Sequence, residues 1–179
     1  MPLTSRTESY AGHGAGAAGS QIEETLYTED LVRVRDIMTP DPAFCTPDAS
    51  AEEAATLMRD HDCGSIPVVE EREKKRLVGT VTDRDLAVRG LASGKGPETA
   101  VRELMTPNPV SCGPEDEVEV VREVMVAQLV RRVPVVDDNG QLVGIVAQAD
   151  IAREEGAASD QEVGRIVEAI SDPRGDLKE

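Results

Sequence analysis

Val34-Arg-Asp-Ile-Met-Thr-Pro-Asp-Pro42 returns as Val101-Arg-Glu-Leu-Met-Thr-Pro-Asn-Pro109, and the two copies stay in register far downstream. Cys45-Thr-Pro47 falls on Cys112-Gly-Pro114, and Ile66-Pro-Val-Val69 on Val133-Pro-Val-Val136. Leu77-Val-Gly-Thr-Val81 falls on Leu142-Val-Gly-Ile-Val146, and Asp85-Leu86 on Asp150-Ile151, after a two-residue difference in the loop before them. An internal duplication of this length means two copies of one supersecondary unit packed on each other. A unit of roughly 55 residues buries too small a share of its chain to be secure alone. The two copies therefore need a shared core.

Each copy reads β-α-β-β-α, an α/β (α+β) pattern, and the two are expected to form a pseudo-two-fold pair packed sheet to sheet. A short extended segment around Phe44 or Ser111 opens the copy, where flanking prolines exclude helix. A helix follows, because Ser50-Ala-Glu-Glu53 and Asp116-Glu-Val-Glu119 fit the capping-box pattern. Behind them, Ala51, Ala54, Ala55 and Met58, or Val118, Val121, Val124 and Met125, make a helical apolar stripe. The β-branched runs 66–69 and 133–136, then 77–81 and 142–146, read as buried strands. Asp138-Asn-Gly140 supplies a tight turn, whereas the charged run 70–76 reads as a longer solvated loop. The repeats span residues 33–92 and 100–156. Residues 1–27, rich in Gly and Ala, are expected to be a flexible tail. An apolar stripe at Val163, Ile166, Val167 and Ile170 predicts a C-terminal helix over 159–171.

The charge balance narrows the function. Thirty-five acidic residues against 19 basic ones give a formal charge of −16, which repels nucleic acid and anionic lipid alike. With three aromatic residues, Tyr10, Tyr27 and Phe44, there is no platform for stacking single-stranded bases. Cys45, Cys63 and Cys112 lack CxxC spacing, so the chain is read as reduced, cytoplasmic and without a metal site, with core packing the default for its thiols. Gly12 to Ala17 fits a dinucleotide fingerprint, but no strand precedes it. No nucleophile-plus-base set or Walker loop is visible, and catalysis is not expected.

The Met-Thr-Pro openings, the Val-Pro-Val-Val strands and the stretch Gly79-Thr-Val-Thr82-Asp-Arg-Asp85 together resemble the CBS-domain pair over residues 33 to 156, and are similar to small bacterial stress-linked CBS proteins. In that family a glycine, a hydroxyl residue and an aspartate in this spacing mark a nucleotide site. Gly144-Ile-Val-Ala147-Gln-Ala-Asp150 keeps the glycine and the aspartate but lacks the hydroxyl. The resemblance implies a non-catalytic regulatory module taking an adenosine-containing ligand such as AMP, ADP or ATP, with no cofactor required, assembled as a homodimer and signalling to an unknown effector protein. A ligand-independent dimerising scaffold is the alternative.

The chemistry of the residues fits that implication. A carboxylate opening a helix accepts hydrogen bonds from the vicinal hydroxyls of a ribose, as Asp85 and Asp150 are placed to do. For each, a helix cap that touches no ligand is the alternative. Thr82 would bring a hydroxyl to a phosphate, and Gly79 would let the strand come close to the ligand. The resemblance carries Asp85 and Thr82 over to a cleft with residues 110 to Cys112 and Val133. It carries Asp150 to a cleft with Phe44 to Thr46 and Ile66. Arg131 and Arg132 would face phosphate, Arg132 foremost. On this reading the Thr82 cleft binds more tightly than the Ala147 cleft.

Overall fold

Branched side chains pack well on a pleated surface, and in the computed structural model, which describes residues 31–155, both valine-rich runs are strands. β2 (Ser65–Val69) pairs antiparallel with β3 (Leu77–Thr82), and β5 (Arg132–Val136) pairs antiparallel with β6 (Leu142–Ala147). The registers repeat position for position: Ser65 lies opposite Thr82 as Arg132 lies opposite Ala147, and both hairpins slip after the third valine-rich position, at Val68/Val69 and Val135/Val136. The expected turn is organised from one residue earlier. Asp137 accepts the N–H groups of Asn139 and Gln141 at 2.9 and 2.8 Å, and Gly140 takes the left-handed conformation at φ 74°. The other hairpin's charged loop is less free than its composition implies. Lys75 reaches Asp41 at 2.6 Å and lies over the Phe44 ring, while Arg72 pairs with Glu53.

α2 (Ala51–Asp60) starts as expected, with the Ser50 hydroxyl accepting from Glu53 N–H at 3.0 Å, and buries Ala54 and Met58. α4 (Val118–Gln128) buries Val118, Val121 and Met125. Its N-cap is Glu117, not Asp116. The Asp116 carboxylate turns back to accept from Gly113 N–H at 2.8 Å, because residues 113–116 already form a turn closed by Asp116 N–H on the Gly113 carbonyl. After β3 the chain changes pitch through α3 (Asp83–Asp85), a π-turn (Leu86–Gly90) and a 3₁₀ turn (Leu91–Ser93), breaking helical geometry at Gly90 (φ −92°, ψ −90°), and ends at left-handed Gly94. α5 (Gln148–Glu155) follows β6.

The expected opening strands at Phe44 and Ser111 shrink to single parallel bridges, Cys45 with Val68 and Cys112 with Val135. The longer pairings at the start of each copy are made with the other copy. After α1 (Val34–Ile37), β1 (Thr39–Pro40) lies against β6, while β4 (Thr106–Pro107) lies against β3, so each three-stranded sheet is completed by a Thr-Pro pair from the opposite repeat. The cores follow the same exchange. Val34 is fully buried among Val121, Met125, Val133 and Val146, and Val101 and Leu104 among Ala54, Ile66, Val68 and Val81. The hairpin turns clasp as well, with Leu77 N–H on the Gly140 carbonyl and Leu142 N–H on that of Lys75. None of the described helices is long and apolar enough to cross a membrane. The expected tail (1–27) and C-terminal helix (159–171), like the Gly12 to Ala17 segment, lie outside the described residues.

Candidate functional site

The strand-to-helix junction β3–α3 brings Thr82 and Asp85 face to face. Asp85 N–H donates to the Thr82 hydroxyl at 3.1 Å, and the Asp85 carboxylate receives both Thr82 N–H (3.0 Å) and the Thr82 hydroxyl (2.8 Å). A carboxylate has no hydrogen to give, so the hydroxyl's only hydrogen goes to Asp85. Thr82 thus has no hydrogen to offer an anion, and the expected Thr82-to-phosphate donation would require that bond to break. The other Asp85 oxygen meets Arg89 at 3.3 Å, whose guanidinium also donates to the carbonyls of Leu104 and Met105 and to the Thr106 hydroxyl. Arg89 therefore ties Asp85 to the exchanged segment that completes the first sheet.

At the β6–α5 junction the arrangement is simpler. Asp150 receives Ala147 N–H at 2.9 Å and Arg153 at 2.8 Å. With alanine at the cap position, half of the box is missing. What faces Ala147 across the ladder is Arg132, whereas Thr82 faces Ser65. The repeats have exchanged a hydroxyl pair for an alanine and a guanidinium.

Two clefts open between the repeats. The larger, about 430 Å³, sets Asp150, Arg153 and Arg132 of the second repeat against Ala43, Ile66 and Pro67 of the first, with His61 and Cys63 at its side. Its floor is apolar, and its charged groups are the Asp41 and Asp150 carboxylates and the Arg132 and Arg153 guanidinium groups. The second, about 370 Å³, is walled by Ser65, Thr80 and Thr82 on one side and Leu129, Arg131 and Arg132 on the other, with Asp83 and Arg84 beside Thr82. Arg132 and Ser65 line both.

The structure gathers Asp150, Arg132 and Ile66 in the first cleft, and Thr82 with Arg131 and Arg132 in the second. Asp85 is not among the residues lining either. Gly79 is turned elsewhere: a Cβ there would lie 2.6 Å from the Met105 sulfur, and the same is true of Gly144 and Met38 at 2.5 Å. The close approach these glycines permit is that of the exchanged methionine. Val133 is fully buried in the second core, with Cys112 packed against that core. Thr46 lines neither cleft; its carbonyl receives Ala49 N–H at 3.1 Å. Burial pushes the Cys45 and Cys112 thiols up to about 12, which keeps both protonated at neutral pH. Residue patterns did not single out Ser65, Ala43 or Arg84 as cleft walls. Ser65 was within reach, since it occupies the position of Arg132 in the first copy.

The duplicated fold agrees with comparison to known proteins. The family model described as CBS domain matches twice, at residues 34–90 and 101–156. The chain belongs to the CBS domain family. As a CBS pair it is similar to Hypoxic response protein 1 of Mycobacterium tuberculosis, 35% identical over 144 residues, or 80% of this chain and 96% of that one. Among solved CBS pairs it resembles that of protein MJ0100 in complex with 5-methylthioadenosine and S-adenosyl-L-methionine. The two share 32% identity and a TM-score of 0.65, over 72% of this chain and 99% of the other. It also resembles CBSX2 in complex with AMP, at 28% identity and a TM-score of 0.62, over 70% and 96% of the two chains.

Proposed function

We propose that this protein is a non-catalytic cytoplasmic regulatory module that takes an adenosine-containing ligand in the cleft containing Asp150. One observation carries the reading: a single cleft between the repeats joins a helix-opening carboxylate, an apolar floor of Ala43, Ile66 and Pro67, and the Arg132 guanidinium. Those are the three demands of a nucleotide. The carboxylate accepts ribose hydroxyls, the floor covers the base without aromatic stacking, and the guanidinium pairs with phosphate. The CBS pairs solved with AMP or S-adenosyl-L-methionine support the ligand class. Similarity to Hypoxic response protein 1 supports a role under stress.

Thermal shift of the full chain with adenosine, AMP, ADP, ATP and S-adenosyl-L-methionine tests this, because a ligand bound only to the folded state raises stability. Asp150→Asn should weaken binding roughly tenfold to a hundredfold, the worth of one charge-assisted bond. No shift with any of these ligands, from protein that melts cooperatively, refutes it.

The competing reading, a dimerising scaffold, draws on Leu91, Val88 and Val120, which stay 74, 52 and 49% exposed. An apolar groove of about 230 Å³ between α2 and the turns after β3, lined by Ala51, Ala55, Leu86 and Leu91, adds to it. A homodimer serves either reading, since covering such surface is favourable in water. A ligand would then act on an effector protein by changing how the repeats or protomers pack. Sedimentation giving a concentration-independent monomer mass contradicts the dimer.

A further inference from the structure

In a chain with 35 acidic residues, arginines find counter-ions easily, yet three of them gather in one place without one. Arg84, Arg131 and Arg132 make no ion pair among the described residues, and all three line the cleft beside Thr82, whose lining includes one acidic residue, Asp83. Exposed arginines without partners are ordinary one at a time, because a surface ion pair contributes little. Three around one cleft of a strongly acidic protein, Arg84 on the Thr82 side and Arg131 and Arg132 facing it, are not accounted for that way. The charges of the neighbouring cleft balance: Arg132 and Arg153 stand against Asp41 and Asp150. The clefts meet at Arg132 and Ser65, which sit at equivalent positions of the two repeats and line both. Only one of those positions carries a cation. Ala147, small and directly across the ladder, leaves that guanidinium room.

We infer that the two clefts form one composite site for a single nucleoside polyphosphate. The nucleoside lies in the Asp150 cleft, the first phosphate meets Arg132 at the junction, and the following phosphates extend towards Arg131 and Arg84. This rests on the Asp150 cleft being the nucleoside site, and adds that ligands are graded by phosphate number. A second phosphorylated ligand is kept out, because its phosphate would need the same Arg132 and would face the charge of the first.

Isothermal titration of the full chain in metal-free buffer, using adenosine, AMP, ADP and ATP, tests the inference. Affinity should rise at least about tenfold from AMP to ATP, from charge-assisted bonds to the added phosphates, with one ATP bound per chain. The double variant Arg84→Gln with Arg131→Gln should erase that gain, bringing ATP to the affinity of AMP. Equal affinity for AMP and ATP, two ATP per chain, or an ATP preference that survives the double variant overturns the composite site while leaving the Asp150 reading intact. Inorganic tripolyphosphate binding as tightly as ATP also overturns it, since the nucleoside half would then contribute nothing. Absence of binding by every nucleotide overturns both.

Discussion

Replacing Gly144 by alanine tests whether the repeats are held together by their exchanged methionines. The new methyl carbon would lie 2.5 Å from the Met38 sulfur and 3.3 Å from the Thr39 carbonyl oxygen. Unstrained contacts of this kind lie at about 3.5–4.0 Å, so roughly 1 Å of overlap must be relieved. The sulfur can swing away, but the carbonyl belongs to β1, which is paired with β6 at this residue. Overpacking of this order costs about 1–3 kcal/mol, which for a chain of this size lowers Tm by roughly 2–12 °C. Gly113→Ala is the control: its methyl would meet Asp116 at 3.6 Å, an ordinary contact, and Tm should hold or rise slightly. Scanning calorimetry of Gly144→Ala, Met38→Ala and the double variant closes the cycle. With Met38 truncated, the added methyl should lose most of its penalty. If Gly144→Ala melts with the wild type, or its penalty is undiminished in the Met38→Ala background, the reasoning fails.

Four further outcomes follow from the geometry. Thr82→Ala should lower stability by about 1 kcal/mol and Ala147→Thr should raise it by a similar amount, since one removes and the other supplies the cap hydroxyl; urea titrations showing the opposite signs would contradict the capping account. Alkylation of native protein at mildly alkaline pH should modify Cys63 ahead of Cys45 and Cys112, which burial raises to about 12. For those two thiols the unfolded chain ionises from its ordinary value of 9.0 upwards while the folded chain keeps its protons. Their contribution to stability is therefore complete below pH 9 and declines as pH rises from 9 towards 12, as calorimetry across that range would show. Finally, a fragment of residues 43–107 should be more helical and more protease-resistant than one of residues 33–92, because only the former contains Val101, Leu104 and β4; equal resistance would argue against the exchanged core.

The repeat made the hairpins, the helices and their buried faces legible, because alternating and helical apolar spacings are local signals that the second copy restates. Ser50 and Met58 do in the structure what their positions say. The exchange of Thr39-Pro40 and Thr106-Pro107 was not legible. A two-residue strand has no period, and nothing local tells which copy a segment will join. The same limit applies to the site. Asp150, Arg132 and Ile66 line one cleft, but Val133 faces the core, Thr46 serves a turn, and Gly79 makes room for Met105. Thr82 was read for what its hydroxyl can donate, whereas the reciprocal bond with Asp85 had already used that hydrogen. A motif names the groups at a junction; it does not say which of them bind each other first.

The crossed Thr-Pro strands also bear on how such a chain arises. A polypeptide with one copy of the repeat would present a sheet lacking its third strand and a core lacking Val34 or Val101, together with a leader segment able to fill those gaps in a twin. Two such molecules would complete each other reciprocally, and joining their genes end to end would preserve every contact. Once joined, the halves need no longer be identical. Mutation can then act on one copy alone, and the pair Ser65 and Thr82 of the first hairpin has as its counterpart Arg132 and Ala147 in the second.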